Sequence, residues 1–177
     1  MAGRWLVPPH LRADWEWATS TIQDKGISNG ELADHVILAG LQRRWFFATA
    51  EDTHYREHVL NPVLSEDAKD TAWRRPLWEA LWQLVRKESS RAAAAQKVRR
   101  LLYERVTITA KAQGGIVVAW KARKGNRREF EQLTVAALRS VGIPARVSKE
   151  GMAEWLDGAR WQRFAEIDEI HDVLTTP

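Results

Sequence analysis

Two histidines and a glutamate within five residues form the first grouping that could do chemistry. His54, Glu57 and His58 fit the pattern His-x-x-Glu-His, which one class of zinc enzymes carries on a helix. Residues four apart share a helix face, so His54 and His58 could both reach one zinc ion. No third ligand is identifiable from the sequence. The alternative is that both histidines lie at the surface or pack against a neighbouring helix.

A second grouping is a dense basic cluster at residues 121–128. Its five bases are Lys121, Arg123, Lys124, Arg127 and Arg128. The cluster leads into a predicted helix, and the first backbone N–H groups of a helix suit an anion. This favours contact with a phosphate, a carboxylate or a nucleic acid, although no nucleic-acid-binding motif is present. The alternative is a solvated loop.

Tryptophan is unusually frequent, with ten in the chain. Trp120 lies beside the basic cluster, and interleaved Arg and Trp side chains can stack on bases or bind sugars. Buried tryptophans more often act as anchors between helices. We expect such core positions for Trp78, Trp82 and Trp161, while for Trp120 both interpretations stay open.

The chain contains no cysteine. Its absence excludes disulfides, thiolate metal sites, cysteine redox chemistry and a cysteine nucleophile. The two histidines therefore remain the only weak indication of a metal site, and we expect no cofactor.

The first two-thirds of the chain is predicted to be helical, because apolar residues recur there at helical spacing. Four predicted helices each have an N-terminal signal. These signals are Ser28 with Glu31, Thr53, Thr71 with Pro76 in the first turn, and Ser90. The last of these helices carries an apolar stripe of Ala94, Val98, Leu101 and Leu102.

The last third combines one helix with strands. Asn126 and Glu129 predict a capped helix that ends before Gly142. A strand is expected at 143–147, and Asp157-Gly158 suits the type I′ turn of a hairpin.

These elements predict an α+β protein, with a helical N-terminal half followed by a helix packed on a small antiparallel sheet. The length of 177 residues suits one compact unit. Within it we expect residues 1–105 to form the helical region and residues 106–177 to form the core.

The charge is unevenly distributed. Residues 86–128 hold thirteen Lys and Arg against two acids, whereas the rest holds fourteen bases against twenty-one acids. This asymmetry suggests an anionic partner, or a basic face that closes against an acidic face of the same chain. No apolar run approaches the roughly 20 residues of a membrane span, and no secretory signal is recognisable. We therefore expect a cytoplasmic protein that does not bind a membrane.

Three segments carry a family pattern. Residues 138–146 read Leu-Arg-Ser-Val-Gly-Ile-Pro-Ala-Arg, and residues 154–161 place Glu, Asp-Gly, Arg and Trp in the order of a hairpin. Upstream, residues 58–78 read HVLNPVLSEDAKDTAWRRPLW. Together they resemble the bacterial transglutaminase-like superfamily over about residues 30–168. The resemblance implies a papain-like fold in which a catalytic Cys opens the central helix and a His precedes the hairpin.

The resemblance also implies where the catalytic residues of the family would fall. Its Cys falls at Arg127 and its His at Glu150. Its acidic third residue falls near Glu166 or Asp168, and its upstream Gln matches Gln113. A guanidinium has no usable lone pair, and a carboxylate cannot replace imidazole near neutral pH without a strongly raised pKa. We therefore expect neither transglutaminase nor cysteine protease activity.

The two replaced positions allow two interpretations. Arg127 and Glu150 could form a bidentate ion pair that locks the former active-site cleft. The alternative is that both became solvated surface residues after catalysis was lost.

We expect the former cleft to bind a peptide, a small anionic molecule or a protein partner. Its candidate lining residues are Gln113, Trp120, Lys121, Arg123, Lys124, Arg127 and Glu150. One alternative is a non-thiol enzyme of bacterial biosynthesis in which Glu150 with Glu166 or Asp168 acts as acid and base. That enzyme needs a buried carboxylate with a raised pKa. A second alternative is a protein that binds an anion or a nucleic acid through residues 86–128. Each of these three functions is compatible with an oligomer.

Overall fold

The computed structural model of the protein describes residues 6–22, 26–46, 52–66 and 70–165. Its α-helices are α1 (Arg12–Ile22), α2 (Asn29–Phe46), α3 (Asp52–Tyr55), α4 (Arg74–Val85), α5 (Arg91–Arg105), α6 (Ile116–Ala122) and α7 (Arg127–Ser140). Its strands are β1 (Thr107–Ile108), β2 (Lys124–Gly125), β3 (Ala145–Val147), β4 (Ala153–Asp157) and β5 (Arg160–Arg163). A 3₁₀ turn, Pro9–Leu11, precedes α1, and a π-helical segment, Arg56–Leu60, continues α3.

Local capping chemistry places most of the helix starts where the sequence predicts them. Ser28 and Ser90 each accept a hydrogen bond from the backbone N–H three residues on, at 3.2 and 3.1 Å. Pro76 falls in the first turn of α4, where its missing N–H breaks no helical bond. Thr71 does not cap α4, because its hydroxyl donates to Glu31 of α2. The side chain of Thr53 lies outside what the structure describes.

Two clusters of buried apolar side chains hold these elements together. The smaller cluster joins α1, α2 and the segment up to Leu60. The larger cluster runs from Leu64 to Phe164 and contains side chains of α4, α5, α7 and the antiparallel sheet. It continues across residue 105 without a break, so the later helices and the sheet share one core.

The centre of the larger cluster is α7. Every residue from Glu129 to Ser140 is buried, because α4, α5, α6 and the sheet all contact this helix. Its polar side chains consequently need partners inside the protein. Gln132 donates to Ser65 at 3.0 Å, and Thr134 donates to a backbone carbonyl of the preceding turn. The prediction of a central helix packed on a small antiparallel sheet is confirmed.

The sheet is an antiparallel meander in the order β3-β4-β5. The register pairs Asp157 with Arg160, so the two turn residues are Gly158 and Ala159. Of these two, Gly158 alone has a positive φ, at +58°, which is typical of a type II′ turn. The predicted type I′ turn centred on Asp157-Gly158 is wrong by one residue, because Asp157 remains paired within β4.

Residues 116–125 contain a short helix and a strand that the sequence analysis missed. Arg123 ends α6 in the left-handed conformation, with φ +55° and ψ +32°. Lys124 then enters β2, which pairs in parallel with β1. The alternative interpretation of the basic cluster as a solvated loop is therefore wrong for Lys121, which lies in α6, and for Lys124, which lies in β2. A seven-residue helix is too short to show a clear apolar period.

Two fully buried arginines join the two clusters. Arg74 donates to His35 at 2.8 Å, to the carbonyl of Arg139 at 2.8 Å and to the carbonyl of Val59. Arg139 donates to the carbonyl of Asn61 at 2.8 Å. Because these bonds cross between α2, α4, α7 and the segment after α3, they fix the N-terminal helices against the central helix.

Candidate functional site

The start of α7 is fixed by a complete capping box. The side chain of Asn126 accepts from the N–H of Glu129 at 2.9 Å, and the carboxylate of Glu129 accepts from the N–H of Asn126 at 3.0 Å. This confirms the capped helix that the sequence predicts. Arg127 is consequently the first residue of the helix.

The carboxylate of Glu129 also binds the loop before α6. Backbone N–H groups of Gln113, Gly114 and Gly115 donate to it at 2.7, 2.8 and 3.2 Å. Gly114 adopts a φ of +95°, and successive N–H groups in such a turn form an anion-binding nest. The internal carboxylate therefore fills the nest. The backbone N–H groups of Gln113, Gly114 and Gly115 are therefore occupied, while anion binding by the first N–H groups of α7 stays a prediction.

A buried ion pair lies one turn into α7. The carboxylate of Glu131 accepts from both terminal nitrogens of Arg99, at 3.1 and 2.7 Å, and its side chain is only 2% exposed. The N–H of Ala153 in β4 donates to the same carboxylate at 2.9 Å. Arg127 Nε lies 3.2 Å from it, with 44% of the Arg127 side chain exposed. Glu131 thus joins α5, α7 and β4 and has no role left as a free acid or base.

Aromatic rings enclose the guanidinium of Arg99. Its central carbon lies 4.9 Å from the ring of Tyr103, 4.8 Å from Phe130 and 5.1 Å from Phe164. Thr134 accepts a further hydrogen bond from Arg99 at 2.6 Å. Burial raises the pKa of Tyr103, so its phenol stays protonated at neutral pH. The interior beside Arg127 is therefore filled by aromatic rings and the Arg99–Glu131 ion pair, although Arg99 Nε and the Tyr103 hydroxyl have no hydrogen-bond partner among the described residues.

Glu150 lies in the turn between β3 and β4, where its side chain is 61% exposed and pairs with Arg163 at 2.7 Å. A hydrogen bond from Ser148 and the charge of Arg163 lower the pKa of Glu150. A catalytic carboxylate would need the opposite environment, buried and with a raised pKa. Glu166 and Asp168 lie outside the described residues.

The predicted ion pair between Arg127 and Glu150 is wrong, since Arg127 pairs with Glu131 and Glu150 with Arg163. Alternation along the strands explains the separation. Arg163 pairs with Glu154 across the β4–β5 register, whereas the next residue, Phe164, lies in the larger core cluster, as does Trp155 beside Glu154. The bond with Arg163 therefore directs Glu150 to the sheet face away from α7.

The remaining predicted residues lie around the end of α6. The side chain of Gln113 donates to the carbonyl of Lys111 at 3.2 Å, so it turns back into its own loop. Trp120 is partly buried against the larger core cluster, which favours its core interpretation. The side chains of Lys121, Arg123 and Lys124 are exposed. These three and Arg127 are exposed and lie within the seven residues that lead from the end of α6 to the start of α7, and we call them the α6–α7 basic surface.

His54 and His58 stack on each other, with ring centroids 5.9 Å apart, and His58 also contacts Trp161 edge-on at 4.8 Å. Burial, with the charge of Arg139 next, lowers the pKa of His58 to about 4. The described residues contain no group of three or more His, Asp or Glu side chains placed to hold a metal ion. The rings therefore take part in packing between the π-helical segment and the sheet.

Tryptophans serve mainly as packing anchors. Trp82 is buried in the larger cluster, and Trp78 packs against that cluster. Trp161 is partly buried, and the central guanidinium carbon of Arg146 lies 4.1 Å from the centre of its ring. The positions of Trp78 and Trp82 agree with the predicted anchoring role, whereas the predicted core position of Trp161 is wrong, because this side chain is only partly buried and belongs to neither core cluster.

Residues 80–165 match the family model of the transglutaminase-like superfamily. They form a transglutaminase-like domain. No curated protein and no solved structure gives a significant match to the chain. Among the described residues, no helix is long and apolar enough to cross a membrane.

The transglutaminase-like domain has no thiol, because the whole chain lacks cysteine. Arg127, which the resemblance aligns with the nucleophile, stands at the first position of α7. Sequence reasoning missed its actual partner, Glu131, although a spacing of four residues on one helix brings such charges together. It also missed Arg99, the base of α5 that is buried together with Ala95, Val98 and Leu102.

Proposed function

We propose that this protein is a binding protein built on a transglutaminase-like domain, and that its partner is anionic. The observation that carries the proposal is the α6–α7 basic surface. Lys121, Arg123 and Lys124 are all exposed and form no salt bridge with any described residue. Arg127 adds a partly exposed guanidinium at the adjoining helix start.

Binding fits the site better than catalysis does. No cysteine is available for a thioester, and the carboxylate of Glu131 is already saturated by Arg99, Arg127 and a backbone N–H. Glu150 is exposed and has a lowered pKa, which disfavours its use as a general acid. A non-thiol enzyme that relies on Glu150 is therefore the weaker hypothesis.

The side chains, rather than the backbone, would contact the partner. The amides of Asn126 at the start of α7 and of Gln113 and Gly114 in the loop before α6 already donate to Glu129, so these amides are not free for an external anion. Long, exposed Lys and Arg side chains attract an anion at a distance, and this attraction weakens as salt rises.

A charge-removal variant tests this proposal. Lys121→Gln, Arg123→Asn and Lys124→Gln are combined, with Asn at 123 because it tolerates a left-handed φ. The probe is a fluorescein-labelled oligoglutamate peptide followed by fluorescence anisotropy. Three exposed ion pairs are together worth about 1.5 kcal/mol, so we expect roughly tenfold weaker binding.

A second triple variant serves as the matched control. Arg86→Gln, Lys87→Gln and Lys149→Gln remove the same net charge from exposed bases elsewhere. This control should bind the oligoglutamate like the wild type, and wild-type binding should weaken with added salt. Equal losses in both variants, or binding indifferent to salt, would contradict the proposal.

A further inference from the structure

The outward face of α6 combines an apolar side chain with a cation. Val118 is 48% exposed, and Lys121 and Ala122 are also exposed. These residues are three and four positions apart, so they share one face of the helix. Lys121 belongs both to this face and to the α6–α7 basic surface.

The opposite face of α6 is held firmly in the protein. Ile116 and Ala119 are buried, and Val117 and Trp120 pack against the larger core cluster. The carboxylate of Asp70 accepts from the N–H of Val117 at 2.8 Å and so caps the first turn. Val118 is consequently presented to solvent by a helix anchored on its other side.

Resting on the proposed function, we propose that this face of α6 binds an acidic peptide segment of a protein partner. An apolar side chain of the peptide lies on Val118 and Ala122, while its carboxylates pair with Lys121, Arg123 and Lys124. The exposed cations favour a partner with acidic side chains, because opposite charges attract. The exposed Val118 favours a partner that also carries apolar side chains.

A nucleic acid fits this face less well. Single strands bind by stacking bases on accessible aromatic rings, and the described residues expose no large aromatic side chain. Trp120, the nearest tryptophan, is turned toward the core. A phosphate backbone would pair with the cations but would leave Val118 without an apolar partner.

The experiment compares three labelled probes of equal net charge. The first is a peptide that alternates Glu and Leu residues, the second is oligoglutamate, and the third is oligothymidylate. Each is titrated by fluorescence anisotropy with the full chain and with the variants Val118→Ser and Lys121→Gln. Exposed substitutions such as these should leave the fold intact, which circular dichroism checks.

We expect the Glu-Leu peptide to bind more tightly than oligoglutamate. Val118→Ser should weaken the Glu-Leu peptide about fivefold, because a modest apolar contact is lost, and should leave oligoglutamate unchanged. Lys121→Gln should weaken both peptides. Leu84→Ser is the matched control, since Leu84 is 39% exposed on α4 and lies close in sequence to Arg86 and Lys87.

The outcomes separate the two proposals. If oligoglutamate binds but Val118→Ser leaves the Glu-Leu peptide unaffected, the acidic-peptide inference is wrong while the anionic-partner function stands. If neither peptide binds the wild type, both are wrong. Tighter binding of oligothymidylate than of either peptide would overturn the inference in favour of a nucleic acid.

Discussion

The two ends of α7 hold buried arginines in contrasting ways. Near its start, the guanidinium of Arg99 is neutralised by Glu131 through two hydrogen bonds. Near its end, Arg139 and Arg74 bind carbonyl oxygens, and Arg74 binds His35 as well. Burial lowers the pKa of both of these arginines to about 9, so they stay charged at neutral pH.

This difference separates two functions of buried charge. The pair at the start of α7 fixes the place where the resemblance puts the family's nucleophile, and it leaves part of Arg127 exposed. Arg74 and Arg139, near the end of α7, instead donate hydrogen bonds to backbone carbonyls of several different segments. Removing the carboxylate near the start of α7 would leave a buried, unpaired charge. Removing an arginine near the end would leave buried carbonyl oxygens without a hydrogen-bond donor.

Removing the acid at the start should have the largest effect. In Glu131→Ala, Arg99 becomes a buried, unpaired charge, and we expect unfolding in urea to show a loss of about 3–5 kcal/mol. The double variant Arg99→Met/Glu131→Met removes both charges and should remain within about 2 kcal/mol of the wild type. If the double variant is as unstable as Glu131→Ala, the cost does not arise from an uncompensated charge.

Removing the donor at the end should have a smaller effect. Arg139→Met leaves no charge unpaired but deprives the carbonyls of Asn61, Val63 and Ala145 of a donor. At about 1 kcal/mol for each lost bond, urea unfolding should show a loss of roughly 2–3 kcal/mol. Arg139→Lys should recover only part of this, because one ammonium cannot reach all three oxygens. A loss larger than that of Glu131→Ala would reverse the comparison.

The boundaries of α7 could be predicted because their chemistry is local. Asn126 and Glu129 satisfy each other's amides within one turn, and Gly142, with a φ of +87°, ends the helix as expected. The antiparallel hairpin was also predictable from the Asp157-Gly158 turn, although its register was not. A one-residue shift of a turn depends on which strand pairs form, and one sequence does not contain that information.

The partners of the site residues were not predictable, since they depend on which faces meet. Glu150 was assigned beside Arg127 by counting along the chain, whereas strand alternation directs it toward Arg163. Arg99 lies thirty-two residues from Glu131, and only the packing of α5 on α7 brings the two together. Such contacts are tertiary, and rules based on helix capping or apolar periodicity predict only local structure.

Acid should weaken the packing at the end of α7. The pKa of His58 is lowered to about 4 by burial and by Arg139, whereas the unfolded chain takes up this proton near pH 6.5. Stability should therefore be full above pH 6.5 and fall as the pH drops toward 4. Because His58 is partly exposed, we expect Gln at this position to reduce the loss by about 1–2 kcal/mol.

Urea unfolding at several pH values between 7 and 4 measures this loss. His58→Gln should show a shallower decline than the wild type, while His10→Gln, at an exposed site, should decline like the wild type. His35 should add to the same decline, since burial and Arg74 lower its pKa well below the ordinary value. Identical declines in His58→Gln and the wild type would show that His58 does not couple to this end of the helix.

The smallest effect should come from Glu129, the buried carboxylate that caps the start of α7. Glu129→Gln keeps the size of the side chain but turns an NH₂ group toward backbone donors, so the bonds from Gln113 or Asn126 are lost. We expect a loss of about 1 kcal/mol in urea unfolding, compared with less than about 0.5 kcal/mol for the exposed control Glu104→Gln. Glu129→Ala would empty the amide nest, so its N–H groups could donate to an external anion, and inorganic phosphate should then stabilise Glu129→Ala more than the wild type. Equal stabilisation of both proteins by phosphate would mean that the nest stays closed without the carboxylate.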